Sequence, residues 1–232
     1  MLLASALFAL SAALPQPLEQ ALTIQVDETE LSTGHFRVTE GPARIEFRVT
    51  YDDQRQAELT LLAPAETAMT EAEVELWEAW QGDDEADGEE EDSSFDGAYN
   101  VENLRASIGG EVSELGREDG LLVYAFTPLS LFSAEDGDGS ERIVQHLTGR
   151  VAVDETAGHI AWIEYSAPES FKPNMAARIE TFMMRVSFGR EASAEAPRME
   201  ELAFEIEGSA AFQPFSQNSR IELISAEFTP AD

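Results

Sequence analysis

Residues 143–228 constrain the fold more than any other part of the chain. β-Branched and aromatic residues recur there at every second position over long runs, and Gly, Pro, Asp and Asn mark the breaks. Residues 143–154 meet a turn at 155–158, and 159–166 return. Residues 170–173 form a corner, 176–189 run long, and 199–212 and 219–228 follow. The pattern predicts four or five successive antiparallel strands. Leu202, Phe204 and Ile206 alternate with Glu201, Ala203, Glu205 and Glu207, so one face is apolar and the other largely acidic. Ile221 and Leu223 alternate in the same way with Arg220 and Glu222. In 176–189 the alternation slips. Phe182, Met184, Val186 and Phe188 share a face, whereas Ile179 and Met183 fall on the other. Either a bulge near Thr181 switches faces or this strand is covered on both sides.

Upstream, 34–40, 43–51 and 56–63 read as three strands joined by short turns. In the second, Ala43, Ile45, Phe47, Val49 and Tyr51 alternate with Arg44, Glu46, Arg48 and Thr50. Residues 70–80 are the clearest helix. Thr70 and Glu73 have capping-box spacing, and Val74, Trp77 and Trp80 fall at helical intervals. A second helix is expected over 100–107 and a further hairpin over 111–127. Residues 18–30 read as a linker or short helix. The prediction is a mainly β (α+β) chain of about ten strands in a large antiparallel sheet, which curls because twist accumulates. No fixed-period repeat or composition break divides residues 14–232, so they form one domain.

Charge limits the partners. The chain has 232 residues with 46 acidic and 14 basic, a net charge of -32, and Lys172 is its single lysine. Such a surface repels phosphates, which sets aside nucleic acid and anionic membranes as main partners. Residues 83–92 are an acidic run. Asp83, Glu85, Asp87 and Gly88 resemble the opening of an EF-hand loop, but the twelfth position is Ser94 rather than a bidentate glutamate. This run and the acidic stretch 134–141 read as solvated loops. With no cysteine there are no disulfides and no thiolate metal sites.

The first residues speak to compartment. Residues 2–14 are apolar or small, about the length of a signal-peptide core, and Ser11 and Ala13 fit the small-x-small cleavage rule. A signal peptide over 1–13, a mature chain from Leu14 and a periplasmic destination are expected; the alternative is an ordinary first helix. No other apolar run approaches bilayer length, so a soluble mature chain is expected.

No nucleophile elbow, zinc-protease motif, phosphate loop or dinucleotide fingerprint is present, and His35, His146 and His159 are isolated in sequence. No catalytic residue, cofactor or metal site is expected, and an enzyme is not. The remaining candidate is the apolar face of the sheet beneath helix 70–80. Phe47, Val49, Trp77, Trp80, Phe182, Met184, Phe204 and Ile206 either line a ligand cavity there or fill a core.

A leader, a long antiparallel sheet and a tryptophan-bearing helix between early and late strands, with the segments His146-Leu147-Thr148-Gly149-Arg150-Val151-Ala152-Val153-Asp154 and Ser170-Phe171-Lys172-Pro173, together resemble the LolA/LolB-like periplasmic proteins. The resemblance covers most of residues 14–232. It implies a half-barrel whose concave face is plugged by one or two helices around a hydrophobic cavity. It also implies carriage of lipoproteins, or binding of another acylated or apolar ligand, between the membranes of a Gram-negative cell. No catalytic residues come with it. Two readings follow: a binding module for a lipid-like or acylated ligand, or an envelope interaction or sensor protein with the same fold and a filled core.

Overall fold

The computed structural model describes residues 14–24, 29–52, 56–82, 99–109, 111–131, 141–190 and 197–230. Residues 1–13, expected to be a signal peptide, the acidic run 83–92 and most of 134–141 lie outside these residues. The strands are β1 (Thr29–Glu40), β2 (Ala43–Tyr51), β3 (Ala57–Ala63), β4 (Val112–Glu118), β5 (Leu121–Phe126), β6 (Thr148–Asp154), β7 (His159–Ser166), β8 (Ala177–Gly189), β9 (Arg198–Ala210) and β10 (Gln213–Pro230). The helices are α1 (Gln16–Ala21), α2 (Glu71–Gly82), α3 (Val101–Ile108) and the single turn α4 (Glu141–Val144).

All ten strands form one open antiparallel sheet in the order β3-β2-β1-β10-β9-β8-β7-β6-β5-β4. The architecture is the mainly β curled sheet with few helices that the alternation predicts. The first strand and the last meet in the middle of the sheet, where Thr29 lies opposite Pro230 and Glu40 opposite Ser219.

Directly paired residues share a face, so the register carries one face from strand to strand. One row runs Ile45, Val38, Ile221, Leu202, Val186, Ile163, Val151, Tyr124, from β2 to β5 without a polar residue. The helices pack on this face. Leu18, Ala21 and Leu22 of the α1 segment, Leu104 and Ile108 of α3, and Tyr99 bury one end with β5–β8. Leu76 and Trp77 of α2 bury the other end with β1 and β2. The capping box forms as predicted: Thr70 N–H donates to Glu73 Oε2 at 2.8 Å, and Glu73 N–H to Thr70 Oγ1 at 3.3 Å.

The opposite face carries charge. Arg37 sits between Glu46 (2.9 Å) and Glu222 (3.5 Å), and Arg150 (3.5 Å) and Arg185 (3.4 Å) flank Glu164. Cross-strand neighbours of opposite sign account for this ladder. Trp162 is buried beneath the Arg185 guanidinium, 4.2 Å from the ring centre.

Four details differ from the sequence reading: β1 begins at Thr29 rather than near Gly34, and three more follow. A register shift between Ile179 and Thr181 puts Ile179 on the same buried face as Phe182, which decides for the bulge. Residues 143–147 belong to α4 and its turn, so β6 begins only at Thr148. β10 begins at Gln213 rather than near 219, and β9 returns through the two-residue loop Ala211–Phe212.

Candidate functional site

Along the apolar face β1–β2 and β5–β8 hold buried rows, whereas β9–β10 between them, like Leu59 and Leu61 on the edge strand β3, are only half-buried. In the row above, Ile45, Val38, Val186, Ile163, Val151 and Tyr124 are buried, whereas Ile221 and Leu202 are only half-buried. Ile221 on β10 and Leu202 on β9 are adjacent partners. The next row repeats the pattern: Tyr165 and Met184 are buried, and their neighbour Phe204 is half-buried. Phe182 is buried opposite half-buried Ile206. Met199 at the start of β9 is buried in the cluster that holds α1 and α3, but Leu202, Phe204 and Ile206 beyond it are not. The result is a strip of Leu202, Phe204, Ile206, Ile221 and Leu223 between two packed clusters.

All eight residues chosen from sequence point to this one side of the sheet, but in two groups. Phe47, Val49 and Trp77 are buried together and Trp80 packs against them, with Phe47 and Trp80 ring centres 5.0 Å apart. Phe182 and Met184 are buried in the other cluster, against which Phe204 and Ile206 pack; the Phe182 and Phe204 rings meet edge to face at 5.7 Å. Phe204 and Ile206 lie on the strip itself. Ile221, Leu223 and Leu202 belong with them. Their alternation is visible in sequence, but their incomplete cover is not.

Clefts open at both ends of the strip. Beyond the Glu222–Glu201 pair, β10 parts from β9: Leu223 onward pairs with β1, while Met199 and Arg198 pair with β8. The fork holds a cleft of about 350 Å³ lined by Arg198, Glu201, Glu222, Leu223, Ala226 and Phe228. Arg198 is buried, with its guanidinium 4.1 Å from the centre of the Phe228 ring. At the other end a cleft of about 370 Å³ lies between Ala72, Leu76 and Ala79 of α2, the turn at Gly41 and Pro42, and Gln217 and Asn218 of β10. Both volumes are at the small end of the range for ligand sites.

The polar groups are dispersed. His35 faces Glu46 at 3.4 Å, His146 stacks on Phe171 at 4.5 Å, and His159 is buried edge-on to Tyr99. The hydrogen bond from Arg37 holds the Glu46 carboxyl below its ordinary range, with help from Arg44 and His35. Among the described residues no three potential metal ligands converge. No described helix is long and apolar enough to cross a membrane.

No family model matches the chain, and neither the curated proteins nor the solved structures hold a match.

Proposed function

We propose that the protein is a non-enzymatic periplasmic binding protein that holds a lipid-like or acylated ligand along the β9–β10 strip. The observation that carries this reading is the break in burial along otherwise continuous apolar rows. The adjoining strands β1 and β8 have their residues in these rows buried, and the two central strands do not. An alkyl chain laid over Leu202, Phe204, Ile206, Ile221 and Leu223 would supply the missing cover at about 25 cal/mol per Å² of apolar surface removed from water. The apolar leader over 1–13 supports the compartment, and the resemblance to LolA/LolB-like carriers supports the ligand class. A second reading, an envelope interaction or sensor protein with a filled core, draws on the tight Phe47–Trp77–Trp80 packing.

An environment-sensitive fatty-acyl probe tests the reading. The wild type binds it in the micromolar range, about -8 kcal/mol. The structure separates two substitutions. Phe204→Glu on the half-open strip leaves the protein folded and weakens the probe at least tenfold. Met184→Glu places a charge in a closed cluster and destabilises by several kcal/mol. A wild type that binds no acyl probe overturns the proposal and leaves the filled-core reading.

A further inference from the structure

We infer that the β9–β10 hairpin tip, with the corner before β8, is a contact surface for a phospholipid bilayer. The inference rests on observations separate from the acyl strip. Phe212 and Met175 are both fully exposed. They stand on neighbouring chain reversals, joined where the Ala211 N–H donates to the Ala176 carbonyl at 2.8 Å. Pro214 and the exposed Phe215 follow on β10, one on each face of the strand.

Phe212 is placed there against local preference. The loop Ala211–Phe212 has φ values of 48° and 68°. A two-residue hairpin of this kind favours Asn-Gly or Gly-Gly, because both central residues take positive φ. A phenylalanine in that region is strained. Nothing is gained by packing, since the ring touches only solvent. A strained, solvent-facing aromatic at a loop apex is accounted for by a contact outside the molecule.

The chemistry around the apex identifies that contact. Residues 170–179 and 208–219 contain no Asp or Glu, in a chain where 46 of 232 residues are acidic. The acid-free stretch 208–219 is exposed or half-exposed almost throughout, so burial does not explain it. The charges within these stretches are Lys172 and the half-exposed Arg178, which pairs with Glu180 at 3.9 Å, and Glu169 and Glu207 stand at their outer ends. Apolar side chains at an apex whose own turns carry Lys172 and no acidic group match the acyl boundary and the phosphate layer of a bilayer. The exposed apolar side chains at the apex are few against the roughly 20–30 residues a side of a stable protein interface. A second copy would also bring its own charge of -32. At about 0.15 M salt, fields die within about 8 Å, so a bilayer touching the tip senses the tip rather than the whole chain.

Sedimentation with phosphatidylcholine vesicles carrying a minor share of phosphatidylglycerol, at physiological ionic strength, tests this. The wild-type protein partitions to the vesicles weakly and reversibly. Phe212→Gly lowers partitioning several-fold while the melting temperature stays level or rises, because glycine relieves the turn. Lys172→Gln with Arg178→Gln removes the gain that phosphatidylglycerol gives over phosphatidylcholine alone. The inference is overturned if the wild type does not sediment with either vesicle, or if Phe212→Gly sediments like wild type. It is also overturned if Phe212→Gly instead abolishes a concentration-dependent dimer, which would assign the apex to self-association.

Discussion

At the scale of single residues, Tyr99 ties three parts of the fold through one oxygen. Its hydroxyl donates to the Ala21 carbonyl at 3.2 Å and accepts from the Ile160 N–H at 2.8 Å, in a buried setting beneath α1 and β7. Tyr99→Phe keeps the ring but leaves a buried carbonyl and a buried N–H without this partner, at a cost of about 1–3 kcal/mol. Urea unfolding checks this: the midpoint falls and the slope stays. Burial raises the Tyr99 pKa above its ordinary value of 10.0. Its contribution is therefore complete below pH 10 and declines as pH rises from there toward the folded value. The wild-type advantage over Tyr99→Phe should shrink on that alkaline limb, and an advantage that grows there would contradict the burial argument.

At the scale of elements, strand pairing depends on where a side chain is missing. Gly149 on β6 lies between Phe126 on β5 and Tyr165 on β7, and the Phe126 ring occupies the space a Cβ at Gly149 would take. Phe126 thereby meets Tyr165 edge to face at 6.0 Å across the glycine. Gly149→Val displaces that ring, and overpacking of this kind costs about 1–3 kcal/mol despite the better strand propensity of valine. A thermal melt at or above the wild-type temperature would refute it. The same elements define what can be read from sequence. The alternation of β2 and β9 is unambiguous because each has one wet, charged face, and the Thr70–Glu73 box marks the start of α2. The β9–β10 hairpin is not legible, because Ala211–Phe212 carries none of the Gly or Asn that announces such a turn. The strip is not legible either. Leu202 and Val186 have the same pattern and share a row, yet one is half-buried and the other buried, a difference set by packing that alternation does not encode.

At the scale of the whole molecule, charge opposes compactness. Forty-six acidic groups in one small fold repel each other, and salt screens them. Monovalent salt at pH 7 should raise the melting temperature, and a fall on salt addition would sink the argument. Acid has two effects of opposite sign. Lowering pH toward the isoelectric point near 4.1 relieves repulsion. Glu46, held down by Arg37, and Glu73, held down by the Thr70 N–H and hydroxyl, have folded values below their unfolded ones. Their stabilisation is therefore present above the ordinary carboxylate range and lost as pH falls through those depressed values. Calorimetry should find a maximum on the acid side of neutrality followed by a steep loss. The pairing of β1 with β10 at the centre of the sheet adds a matter of timing. As the chain is made, β1–β3 come first and β4–β9 next, and each set has a free edge where the other belongs. Only residues 213–230 pair with both, so until they arrive there are two half-sheets and no join. The contact that unites the molecule spans almost the full chain, which makes it the slowest kind to form. The β9–β10 strip therefore does not exist until the last strand is in place.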